Sequence, residues 1–196
     1  YVLMNTDVMI LTFFSTFENI SIYTVYNNVA YGLRQLVMAM GSGFQSLWGN
    51  LIAKKEDDKL AESFSFFEWG LHNVVTVLFI TAMILIVPFV QLYTKGVSDA
   101  DYIQPLFGYI IVAANAASCY RLPYIAMIYA AGQFKETRVS AWVETGINLL
   151  VSIILVREFK LVGIAIGTLL AMIYRTIYLA YYLRNNILRR KFSCFV

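Results

Sequence analysis

The chain has 196 residues, of which 60% are hydrophobic and 14% charged, with a mean hydropathy of +0.66 and a formal net charge of +3. That apolar share exceeds the roughly 45–50% of an ordinary soluble domain. A soluble helical bundle would also need polar residues on the outer face of every helix, and the apolar runs here are apolar nearly all round.

Six such runs follow one another, so the expected fold is all-α: a polytopic membrane helix bundle of about six transmembrane helices. The first, residues 1–17, holds Asp7 and ends at Glu18-Asn19. Starting at Tyr1 with so short a run, the chain reads as a fragment with its first helix truncated. The second is uncharged from Ile20 to Ile52 except at Arg34. As one helix it would be about 50 Å long at ~1.5 Å per residue, longer than the hydrocarbon is thick. Lys54 to Glu62 reads as a charge-dense loop. The third run is Trp69 to Thr94 and the fourth Tyr102 to Phe134, with a kink expected at Pro123 because proline lacks the N–H that the helix needs.

The last two runs, Val139 to Val156 and Leu161 to Leu183, carry one charge each, Glu144 and Arg175. The short charged connector Arg157-Glu158-Phe159-Lys160 makes them an antiparallel helical hairpin, since backbone in lipid must find its hydrogen bonds within each helix. Gly163, Gly167 and Ala171 recur every fourth residue and offer a face for close backbone approach.

Loop charge sets orientation. Lys54, Lys55, Lys59, Lys135, Arg138, Arg184, Arg189, Arg190 and Lys191 fall on one side and Lys95, Arg157 and Lys160 on the other. The excess of basic residues marks the cytoplasmic side, which predicts an even number of spans, a multi-pass plasma (inner) membrane protein and a cytoplasmic C-terminus.

Five ionisable residues remain inside the runs: Asp7, Arg34, Arg121, Glu144 and Arg175. Counted from the outer end of each run at ~1.5 Å per residue, they share a slab roughly 16–28 Å deep. Each costs several kcal/mol in lipid, roughly 2.5–3.5 on insertion scales, so each must face the bundle interior or water. Asn27, Arg34, Gly41 and Gln45 recur at seven, seven and four residues along one helical face, as do Ser140, Glu144 and Asn148 at four. Two arrangements satisfy these charges. Asp7 can pair with Arg34 and Glu144 with Arg121 or Arg175, which fixes packing, with Arg121 alternatively snorkelling to the inner surface. Or they surround a wet cavity of net positive charge suited to an anionic substrate. His72 is expected as an ordinary polar residue near the cytoplasmic interface. Trp48, Trp69, Tyr93, Tyr102, Tyr181 and Tyr182 are expected as interfacial anchors. No phosphate loop, Cys/His metal spacing or nucleophile elbow supports an enzyme or a resident cofactor, and nothing points to nucleic acid.

Asn5-Thr6-Asp7, Tyr23, Ala131-Gly132-Gln133-Phe134-Lys135, the stretch from Glu144 to Asn148, and the run from Phe159 to Thr168 (FKLVGIAIGT) together resemble the C-terminal half of polysaccharide-transporter flippases. These belong to the superfamily that includes multidrug and toxin extrusion antiporters and lipid-linked peptidoglycan precursor flippases. The resemblance implies that residues 1–196 are the C-terminal six-helix lobe of a two-lobe flippase whose N-terminal lobe is the missing partner. It further implies alternating access that moves an undecaprenyl-pyrophosphate-linked glycan, a membrane lipid, from the cytoplasmic to the outer leaflet in polysaccharide biosynthesis. Arg34, Arg121 and Arg175 would then serve the pyrophosphate, and Asn27, Gln45 and Asn148 the sugar. Asp7 or Glu144 would bind a coupling H+ or Na+. A drug antiporter, favouring an acidic or aromatic cavity, and a non-transporting membrane assembly subunit are the alternatives.

Overall fold

Long apolar runs make helices here because a helix satisfies its own backbone hydrogen bonds, and the breaks fall where glycine, proline or charge interrupts the run. The computed structural model describes residues 2–97 and 99–188. Among the described residues seven α-helices follow in order: α1 (Val2–Phe14), α2 (Phe17–Ala39), α3 (Ser42–Lys54), α4 (Asp57–Tyr93), α5 (Pro105–Tyr120), α6 (Leu122–Ala130) and α7 (Phe134–Leu183). A short π-helical turn, Arg184–Leu188, follows α7. Among the described residues there is no strand. Arg189, Arg190, Lys191 and Cys194 lie outside the described residues.

The single long helix expected from Ile20 to Ile52 is instead two. It breaks at Met40 and Gly41, where Gly41 packs against Leu122. The face that would have aligned Asn27, Arg34, Gly41 and Gln45 is therefore interrupted: Asn27 and Arg34 lie on α2, Gln45 on α3. The charge-dense loop is also mostly helix. Lys55 and Glu56 alone make the reversal, Lys55 in the left-handed region at φ 57°, and Asp57 and Asp58 open α4. Acidic residues suit the positive end of a helix dipole, which is why they start a helix here.

The expected kink in the fourth run is present. Helix α5 ends at Tyr120 and α6 begins at Leu122, with Arg121 at the joint and Pro123 at the second position of α6. His72 is half-buried at this joint, where its Nε2–H donates to the Tyr120 carbonyl oxygen at 3.2 Å, and its ring meets Tyr120 and Tyr124 edge-on. It is a packing partner of the break.

Helix α7 is helical throughout except at Lys160 (φ 47°, ψ −120°), where its two arms reverse. Leu155 backs onto Gly163, and Ser152 and Asn148 back onto Gly167: a Cβ at Gly163 would meet the Leu155 backbone at 2.6 Å. The hairpin expected from the charged tetrapeptide is thus formed, with small residues letting the arms close.

Among the described residues two helical stretches, Asp57–Tyr93 and Pro105–Ala130, are long and apolar enough to cross a membrane. In the first, only 28% of the most apolar stretch is buried, so side chains such as Val77, Ile84 and Leu92 face outward. Trp69, Tyr93 and Tyr181 are exposed. Trp48 and Tyr102 are not anchors of that kind. Trp48 is fully buried among Phe44, Phe64 and Phe67, joining α3 to α4, and Tyr102 is buried with its hydroxyl shared between Ser21 and Asp99.

Candidate functional site: two buried carboxylates beside a cavity

Helix α1 carries Asp7 into the contact between α2 and the hairpin, where it is 3% exposed. Tyr23 Oη–H on α2 donates to Asp7 Oδ2 at 2.8 Å, and the Thr168 hydroxyl on the second arm of α7 donates to the same oxygen at 2.9 Å. Asn148 Nδ2 on the first arm donates to Asp7 Oδ1 at 3.2 Å and to Thr168 Oγ1 at 3.0 Å. Three neutral donors from three segments thus hold this carboxylate. The expected Asp7–Arg34 pair is not formed; no ion pair among the described residues includes either of them.

Glu144 is fully buried and bridges two arginines. Arg121 Nη1 lies 2.5 Å from its Oε1 and Arg175 Nη1 2.5 Å from its Oε2. Arg121 is turned inward to this pair, so it does not snorkel. Its position at the joint between α5 and α6 frees it from either helix face, while Glu144 and Arg175 face each other across the hairpin.

The two carboxylates do not share one depth. Asn148 is four residues nearer the Lys160 reversal than Glu144, and Thr168 seven nearer than Arg175. At ~1.5 Å per residue this separates two tiers by about 6–10 Å, a spread that fits within the roughly 12 Å thickness of the expected slab.

A cavity of about 440 Å³ connects the tiers. Helix α1 contributes Asp7, and α2 contributes a continuous face of Tyr23, Asn27, Tyr31 and Arg34 at helical spacing. Asn115 on α5, Arg121 at the joint and Thr168 and Met172 on α7 complete its wall. The Arg34 guanidinium lies 5.1 Å from the centre of the Tyr31 ring, a cation–π contact, and its buried Nε has no partner among the described residues. The cavity wall thus carries two cations and one anion, with the Glu144–Arg175 pair behind it.

Of the residues singled out in the sequence, Asn27, Arg34, Arg121 and Asp7 border the cavity, whereas Asn148 and Glu144 are buried and Arg175 half-buried outside its wall. Gln45 sits apart on α3. Thr168 and Tyr31 were not marked as site residues. A signal for both existed: a buried acid demands hydroxyl donors, and Tyr31 precedes Arg34 by one helical turn.

Among the described residues, no group of three or more His, Cys, Asp and Glu gathers as metal ligands. No family model, curated protein or solved structure matches the chain.

Proposed function

We propose that the chain is a six-span lobe of a membrane flippase of the polysaccharide-transporter kind, which carries a pyrophosphate-linked lipid glycan across the bilayer by alternating access. The spans in this reading are α1, α2 with α3, α4, α5 with α6, and the two arms of α7, with the C-terminus cytoplasmic and Lys160 at the outer face. The observation that carries it is the cavity. Arg34, a guanidinium with no carboxylate partner among the described residues, borders the same space as Arg121, lined also by amide and phenol groups, a set that suits phosphate oxygens and sugar hydroxyls. Buried charge inside a membrane bundle is expensive and is retained mainly where it acts on a substrate or ion.

The Asp7 cluster supplies the oxygens a coupling cation needs. Asn148, whose amide nitrogen bonds the Asp7 carboxylate and the Thr168 hydroxyl, has a buried Oδ1 without a partner among the described residues, so these three residues would hold Na+, or Asp7 alone a proton. The bound cation would supply charge balance to a carboxylate that has none among the described residues.

The test is transport by the full-length protein in membranes. Arg34→Ala is expected to lower the rate at which lipid-linked glycan reaches the outer leaflet about tenfold, in line with loss of a charged hydrogen-bonding partner, at unchanged protein level. Unchanged transport would remove Arg34 from the substrate path and return the arginines to a packing role. Binding of cationic drugs would instead favour an antiporter.

A further inference from the structure

Glu144 holds two arginines that are not equivalent. Arg121 borders the cavity and Arg175 does not. Arg121 sits at the joint between α5 and α6 (φ −80°, ψ −8°), where its carbonyl accepts the first hydrogen bond of α6 from Ile125 N–H at 3.1 Å, while Arg175 is inside the second arm of the hairpin, paired with Glu144. The carboxylate can therefore release Arg121 and still keep a cation beside it. A buried carboxylate with a single arginine to hold it would be stranded by the same release.

Arg34 completes the asymmetry. It borders the same cavity, and its buried Nε has no partner among the described residues. One guanidinium stands open to the cavity, and the second is occupied by an anion the protein carries itself.

Resting on the anion-cavity reading above, we propose that Glu144 is a positioning residue that stands in for substrate phosphate at Arg121 while the cavity is empty. An entering pyrophosphate engages Arg34 first and then draws Arg121 away from Glu144, which remains on Arg175. No bond is made or broken; one ion pair is exchanged for another. The exchange sets selectivity. An anion with one phosphate pays for releasing Arg121 with a single phosphate group, whereas a pyrophosphate spans both guanidiniums. Apparent affinity in the native protein is reduced by the fraction of molecules in which Arg121 is still held by Glu144.

The experiment is binding of inorganic pyrophosphate and inorganic phosphate to the full-length protein in detergent, measured by calorimetry for the native protein, Glu144→Gln, Glu144→Asp and Arg34→Gln. Aspartate keeps the charge, but one methylene less prevents it from spanning both arginines, so it stays with the facing Arg175. Both Glu144 variants are expected to bind pyrophosphate about fivefold or more tighter, with a smaller preference over phosphate, because the competent state no longer has to be released. Tighter binding by Glu144→Gln alone would mean that net charge, with no exchange, governs affinity, and would overturn the proposal. Weaker binding by both would assign Glu144 a purely structural role and overturn it too. The cavity reading has its own control. If Arg34→Gln weakens binding, that reading stands whatever Glu144 does; if no form binds pyrophosphate, both fall together.

Discussion

Gly41 lies against Leu122: a Cβ added at Gly41 would come to 3.0 Å from Leu122 Cδ1. The break between α2 and α3 therefore meets the break between α5 and α6, one residue from Arg121. Each break exposes backbone that a continuous helix would hide, and at the α5–α6 break His72 Nε2–H satisfies the Tyr120 carbonyl oxygen.

The contact at Gly41 is with the tip of a flexible side chain, which can yield. Its backbone is right-handed helical, so alanine is conformationally acceptable. Gly41→Ala is expected to leave the thermal unfolding midpoint in detergent almost unchanged. Gly41→Leu has to displace Leu122 altogether and is expected to destabilise by about 2 kcal/mol, the scale of overpacking a filled core. Equal effects of the two would mean that the breaks do not touch.

Gly163 offers the opposite case on α7. A Cβ there would meet the carbonyl carbon and oxygen of Leu155 at 2.6 Å, and backbone cannot rotate aside. Gly146, on the other arm, has nothing within 4 Å of the same added atom. Gly163→Ala is expected to splay the hairpin and cost at least about 2 kcal/mol, in the range of overpacking. Gly146→Ala is expected to be neutral or to gain up to about 1 kcal/mol of helix propensity. Paired unfolding curves decide the point, and similar losses in both variants would count against the close approach.

Lys160 turns the hairpin at φ 47° and ψ −120°, a combination that glycine adopts freely and a side chain resists. Strain of this kind costs of order 1–3 kcal/mol. Lys160→Gly is expected to raise the unfolding midpoint, and Lys160→Val to lower it, because a β-branched side chain crowds the same backbone further. A glycine variant less stable than the native protein would show that the Lys160 side chain contributes more than its backbone costs.

The hairpin was legible in the sequence because three local signals agreed: two apolar runs, a charged connector and glycines at fourfold spacing. The break at Arg121 was legible through Pro123, whose missing N–H acts whatever the surroundings. The break at Gly41 was not, since a glycine flanked by Met40 and Ser42 in an apolar run is compatible with a continuous helix, and only Leu122 from a distant segment makes it a junction. For the same reason Gln45 was assigned to the face of Arg34. Lys54 to Glu62 misled in the other direction: charge density signals solvent, and solvent is compatible with the first turns of a helix. The Glu144 triad was partly visible, because a buried acid needs cations and two were available. Its bridging of both depends on the α5–α6 joint, a tertiary fact. The Asp7 cluster brings together residues up to 161 positions apart, and helical phase within one segment carries no information on that scale.

Asp7 is held by three neutral donors, Tyr23, Asn148 and Thr168, and pairs with no cation among the described residues, which separates its electrostatic role from its packing role. Asp7→Asn preserves shape and keeps an oxygen to accept from Tyr23 or Thr168, while removing the negative charge that a coupling cation requires. In the full-length protein it is expected to leave the level in membranes near native and to abolish the response of glycan transport to an imposed sodium or proton gradient. Asp7→Leu leaves the Tyr23 hydroxyl and the Asn148 amide short of an acceptor, at about 1–3 kcal/mol for each buried group, and is expected to reduce the protein level as well. Transport and level are to be read from the same vesicles, so that loss of protein is not taken for loss of coupling. An asparagine variant that transports with undiminished gradient dependence would place the coupling elsewhere and leave Asp7 as the hydrogen-bonded pin that joins α1 to the hairpin.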